Sequence, residues 1–118
     1  MLPTVLIVDD HDGFRAYARA ILEGEGFDVV GDAGDGETGI VAVQQLRPRI
    51  VVLDIQLPGI DGFEVAERLA ELDDPPAVVL VSTRDAASLR RRLATTPARG
   101  FIRKDELSGA AIAALVAP

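Results

Sequence analysis

Ile50-Val51-Val52-Leu53-Asp54-Ile55-Gln56-Leu57-Pro58-Gly59-Ile60-Asp61-Gly62 is the stretch on which the fold turns. Its first four residues are a solid aliphatic run, the pattern of a strand buried on both faces. A carboxylate follows at once, at the carboxyl end of that strand. Asp61 then caps a helix, with Glu64 three residues later as in a capping box. Strand, acidic end, helix: one βα unit is legible in a single line.

Working outward, the same unit repeats five times. Strands are expected at Val5–Val8, Phe27–Val30, Ile50–Leu53, Ala77–Val81 and Gly100–Ile102. Between the first two, Phe14, Tyr17, Ala18, Ile21 and Leu22 follow helical spacing until Gly24 and Gly26 stop it. Asp35-Gly36-Glu37 opens a second helix that Pro48 ends. Val65, Ala66, Leu69 and Ala70 line the third before Pro75-Pro76. A fourth, short and arginine-rich, runs from Asp85 to about Thr96. The fifth starts near Ser108, where Leu107 and Ile112 have the spacing of a hydrophobic staple. Strict alternation implies a parallel sheet with helices on both faces. Strands one, three and four are solidly aliphatic, hence central. Strand two carries Asp28 and Asp32 and strand five is short, hence edges. The expected order is 2-1-3-4-5, a doubly wound α/β sheet with its ligand crevice where strands one and three part.

The whole chain agrees. Its 118 residues make one domain, 1–118, able to build a core without staples, since roughly two thirds of the unfolded surface is buried at this size. There is no cysteine, so no disulfide, thiolate zinc site or cysteine nucleophile. No apolar run reaches membrane-spanning length and no secretory signal opens the chain, so a cytoplasmic protein without membrane contact is expected. A net charge of −7 argues against direct nucleic-acid binding. Against eleven arginines stand one lysine, Lys104, and one histidine, His11.

Strand one ends in Asp9-Asp10, strand three in Asp54, strand four in Ser82 and strand five in Lys104. Right-handed crossovers bring all these ends to one edge. Three carboxylates in one crevice repel and raise each other's pKa, which a hard divalent cation such as Mg²⁺ relieves. Ser82 offers a hydroxyl and Lys104 an ammonium for phosphoryl oxygens. The set reads as a phosphoryl-transfer site with an aspartate acceptor. Plainer roles exist for each residue. Asp10 is placed to cap a helix, Ser82 to bond the loop backbone and Phe101 to fill core. His11 reads as a helix-start residue beside the site, without a second histidine to share a metal. The Arg90-Arg91-Arg92 run reads as a solvated helix face.

Over essentially its whole length the chain resembles the response-regulator receivers of two-component systems, a flavodoxin-like (βα)5 family. The resemblance rests on Val5 to Asp10 with its acidic pair, Leu53 to Gly62, Val79 to Ser82 and Gly100 to Lys104. It implies that Asp54 takes a phosphoryl group from a sensor histidine kinase or phosphotransfer protein. Asp10, Asp54 and the main-chain carbonyl of Gln56 would bind Mg²⁺ directly, and Asp9 through water. Lys104 would pair with the phosphoryl group. Ser82 would move toward it and draw Phe101 inward, altering the face of helix four, strand five and helix five for a downstream protein, an output domain or a homodimer partner. The phrase Gly100-Phe-Ile-Arg-Lys-Asp-Glu-Leu107 resembles receivers joined to helix-turn-helix output domains. The chain stops after helix five, so a stand-alone receiver or an excised fragment is expected.

Two departures stand out. Asp105 follows the lysine where the family usually has proline, so a trans bond and a differently shaped loop are expected. Thr83 stands where a small residue is common, which would narrow access to the site. A haloacid dehalogenase-like phosphatase would need a second aspartate two residues after Asp54; Gln56 is there instead. A flavin carrier would want a phosphate-cradling loop after strand one, not His11-Asp12. A degenerate receiver would lack an acidic or lysine position, and none is lacking.

Overall fold

Which strands lie in the middle is decided by how much apolar surface each must hide. In the computed structural model, which describes residues 1–117, the strands β1 (Thr4–Val8), β2 (Asp28–Ala33), β3 (Ile50–Asp54), β4 (Ala77–Ser82) and β5 (Gly100–Arg103) form one parallel sheet. Its order is β2-β1-β3-β4-β5, as expected from the aliphatic runs. Every residue of β3 is buried, whereas in β2 only Val29 and Ala33 are, as suits an edge strand.

Alternate strand residues face opposite sides, which gives two cores. Leu6, Val8, Val51, Leu53, Val78 and Leu80 pack with α2 (Gly36–Leu46) and α3 (Gly62–Ala70), notably Val43, Val65 and Leu69. Val5, Ile7, Ile50, Val52, Val79 and Val81 pack with α1 (Asp12–Gly24) and α5 (Gly109–Val116) through Ala18, Leu22 and Ile112. The caps follow the sequence. Asp35, Asp61 and Ser108 accept the amides of Thr38, Glu64 and Ala111, and Leu107 and Ile112 are both buried as a staple.

Four details differ from expectation. Strand β2 extends to Ala33, because Asp32 and Ala33 still pair with Ile7 and Val8 of β1. The Asp61 capping box is half made, since the Glu64 carboxylate turns instead to Arg68 at 2.6 Å. The segment from Asp85 begins as a 3-10 turn (Ala87–Leu89) before α4 (Arg90–Thr95). Leu89 is its one buried residue, so little apolar face enforces a regular helix. Arg92 is also more than a solvated side chain, as its contacts below show. Among the described residues no peptide bond is cis. Asp105 sits in a 3-10 turn (Lys104–Glu106) with its carboxylate forked onto Arg103 at 3.1 and 2.7 Å.

Candidate functional site

The sheet register itself brings the charged groups together. Val8 pairs with Leu53, so Asp9 and Asp54, each the next residue along, emerge side by side from neighbouring strands. Ser82 pairs with Arg103 at the far end of β4 and β5, which sets Lys104 just beyond the sheet. The crevice between β1 and β3 is where the order reverses and helices leave to opposite faces, so no crossover covers it.

Asp54 is 2 % exposed and Asp9 is fully buried. The residue after Asp54 is held from both directions: the Ile55 amide donates to Val81 O at 3.0 Å and its carbonyl accepts the Gly62 amide at 2.8 Å. A Cβ on Gly62 would stand 2.3 Å from the Asp54 carbonyl oxygen, so the start of α3 approaches the end of β3 as only glycine permits. The Gln56 amide donates to Asp54 Oδ1 at 3.3 Å. Asp9 Oδ1 accepts the His11 amide at 2.8 Å, and the Asp9 carbonyl accepts Arg15 at 2.5 Å.

Lys104 lies across this pair. Its ammonium stands 2.6 Å from Asp9 Oδ2 and 3.4 Å from Asp54 Oδ2, with the Phe14 ring 4.5 Å away. The lysine is thus closer to Asp9 than to Asp54. It balances charge without aligning as a donor, since both Oδ2 atoms are buried and accept no hydrogen bond. Burial pushes the Asp54 carboxyl up to about 6, and the charge of Asp9 adds to this. Lys104 and the Gln56 amide pull the other way and do not win.

Four ligand-bearing side chains, Asp9, Asp10, His11 and Asp54, place one donor atom each within 4.8 Å of one another. Two orphaned, buried carboxylate oxygens among hard oxygen donors fit a divalent cation. The structure therefore brings together Asp9, Asp10, Asp54 and Lys104. Ser82 is buried at the end of β4, but its hydroxyl accepts the Arg84 amide at 3.0 Å, a local turn contact. Phe101 is half-buried against the α3 side of the core. Thr83 beside Ser82 is exposed.

Two residues do more than the sequence foretold. His11 does start α1, yet its ring is drawn into the cluster, with Nδ1 3.1 Å from both Asp9 Oδ1 and Asp10 Oδ1. Its position directly after the acidic pair was the available signal. Arg92 pairs with Asp61 at 2.8 Å and lies 4.2 Å over the Phe63 ring, tying α4 to the start of α3. Its neighbours Arg90 and Arg91 are exposed, as a solvated face should be.

Comparison with known proteins agrees with this geometry. The family model for the response regulator receiver domain matches residues 5–116. Among curated proteins, the virulence-factor transcription regulator BvgA of Bordetella pertussis is 38% identical over 106 residues, 90% of this chain and 51% of that protein. The chain spans about half the length of the curated relatives it matches. Among solved structures, the signal receiver domain of the response regulator NarL from Mycobacterium tuberculosis superposes with a TM-score of 0.88 at 28% identity, covering 99% of this chain and 98% of that one. CheY of the CheX-CheY-BeF3-Mg²⁺ complex from Borrelia burgdorferi gives 0.82 at 29% identity, covering 97% and 86%. A match to all but the outermost residues, on the sheet order and strand-end acids derived above, makes this chain a member of the response regulator receiver domains of two-component systems.

Proposed function

We propose that Asp54 is the phosphoacceptor of this receiver and that the acidic pocket works with Mg²⁺. One observation carries the reading: Asp54 is buried at a strand end, raised to about 6, with an oxygen that accepts no hydrogen bond although a lysine lies 3.4 Å away. A carboxylate so placed is short of partners until a phosphoryl group or a cation arrives. The donor, a phosphohistidine on a sensor kinase or phosphotransfer protein, loses its P–N bond as an Asp54 oxygen forms the new P–O bond. Asp10, Asp54 and the Gln56 carbonyl would hold Mg²⁺ directly, with Asp9 acting through water. When bound, the ion offsets the negative charge of carboxylates and phosphoryl oxygens. The Lys104 ammonium moves from the carboxylates to a phosphoryl oxygen, and Ser82 exchanges the Arg84 amide for another. That exchange is worth about a kcal/mol or two, enough to bias a loop with two states.

Phe101 would follow Ser82 and reshape the α4–β5–α5 face toward an output domain, a downstream protein or a second copy of the chain. The setting is cytoplasmic, and water would return Asp54 to its free form without further machinery. Relatives named as transcription regulators support an output of that kind. The Borrelia burgdorferi relative, solved with BeF3 and Mg²⁺, supports the cation and the acceptor chemistry. Among the described residues no helix is long and apolar enough to cross a membrane. Incubation with acetyl phosphate and Mg²⁺ should add one phosphoryl mass to the wild type and none to Asp54→Asn, because an amide is no nucleophile. Full phosphorylation of Asp54→Asn would overturn the assignment.

A further inference from the structure

Beyond the oxygen donors, the acidic pocket contains a nitrogen. The His11 ring leaves the first residue after the acidic pair, ahead of α1. It stands with Nδ1 3.1 Å from Asp9 Oδ1 and 3.1 Å from Asp10 Oδ1. Adjacent donors on an octahedral ion with bonds of about 2.1 Å are ~3.0 Å apart. Toward Asp9 this contact is a hydrogen bond, in which Nδ1–H donates to the carboxylate, and an ion that displaced that proton would find Nδ1 already at the spacing of a neighbouring ligand. The remaining donor comes from Asp54, and the whole set lies within 4.8 Å.

Independent of that spacing, the buried Oδ2 atoms of Asp9 and Asp54 accept no hydrogen bond. Such oxygens mark a site that lacks a positive partner beyond Lys104. Oxygen-only pockets suit Mg²⁺, whereas an imidazole adds affinity for first-row transition ions, rising from Mn²⁺ through Co²⁺ to Ni²⁺. The His11 side chain is 68% exposed, which leaves the ring room to turn toward an incoming ion.

We propose that His11 is a nitrogen ligand of the acidic pocket and gives it a preference for a first-row transition ion such as Mn²⁺ or Co²⁺ over Mg²⁺. This rests on the divalent-cation reading of the pocket and adds the identity of the ion class. The ring would coordinate through Nδ1, the atom that faces the carboxylates, with its proton released to solvent or carried on Nε2, and Asp10 and Asp54 would supply oxygen. Lys104 would give up its contact with the carboxylates when the ion enters.

The test uses the intact chain loaded with Mn²⁺. Electron spin-echo envelope modulation should detect hyperfine coupling to an imidazole nitrogen in the wild type and not in His11→Ala. Calorimetric competition between Co²⁺ and Mg²⁺ should show the Co²⁺ preference falling at least about tenfold in His11→Ala, with His11→Gln behaving likewise. Binding of Mn²⁺ and Mg²⁺ without nitrogen modulation, or an unchanged Co²⁺ preference in the variants, would overturn the proposal and leave the Mg²⁺ reading standing. Failure of the wild type to bind any of these ions would remove both. Circular dichroism of the variants checks that the fold is retained, so that a lost preference is a property of the ligand set.

Discussion

Asp54 holds one carboxylate where burial and Asp9 both oppose its charge, and that has a pH signature. Its folded pKa, about 6, lies above the ordinary 3.8, so the folded state keeps a proton that the unfolded chain has already lost. In metal-free buffer the group therefore costs nothing below about pH 4, and its cost grows as pH rises to about 6 and then levels off at roughly 3 kcal/mol. Other carboxylates titrate in the same window, so the difference between wild type and Asp54→Asn is the informative quantity. Urea unfolding should show Asp54→Asn gaining on the wild type between pH 4 and 6, with a constant advantage above; a flat difference would mean that Asp54 is not strained. Lys104 makes a second case. Arginine keeps the charge but replaces a compact donor with a planar fork about an ångström or two longer. Lys104→Arg should fold and accept a phosphoryl group, yet fail to carry the change to Ser82 and Phe101. Amide chemical shifts around Phe101, read before and after phosphorylation, check this, and matching patterns in both proteins would refute it.

Between elements, the closest approach is where α3 begins. The Gly62 position leaves no room for a side chain, since the obstructing atoms are backbone of Asp54 and Ile55. Gly62→Ala must push α3 away from β3, at a cost of about 1–3 kcal/mol. The same displacement moves the segment from Gln56 to Asp61 that flanks Asp54, the proposed acceptor. We expect Gly62→Ala to unfold at lower urea and to be phosphorylated by acetyl phosphate more slowly; wild-type values for both would mean that the helix tolerates the shift. Arg92 joins this region from the other side, bound to Asp61 and stacked on Phe63. The short helix α4 has no fully buried residue of its own, and Arg92 adds to the hold that Leu89 and Leu93 give it on the core.

At the scale of the whole molecule, the charge is arranged against itself on purpose of the site. The chain carries −7 overall, and three of its carboxylates meet in one crevice with a single lysine. Asp10→Ala should be more stable than wild type without metal, because one source of repulsion is gone. It should also lose most of the Mg²⁺-dependent stabilisation, since an ion that binds only the folded state raises stability by mass action. Denaturant curves with and without Mg²⁺ measure both, and an equal gain in the two proteins would count against Asp10 as a ligand. The sequence by itself determined the sheet order, because aliphatic runs cannot sit at an edge and Asp28 with Asp32 cannot sit in the middle. It also determined which residues crowd the crevice, because a parallel sheet brings every strand's carboxyl end to the same side. The cap at Asp61 and the helix starts at Asp35 and near Ser108 were legible for a local reason, a side chain able to bond an amide three residues on. Only the tertiary structure decided that Lys104 leans toward Asp9, that His11 turns its ring among the acids and that Arg92 reaches Phe63. Those are meetings between elements distant in sequence or rotamer choices of single side chains, set by register and packing that no local pattern encodes.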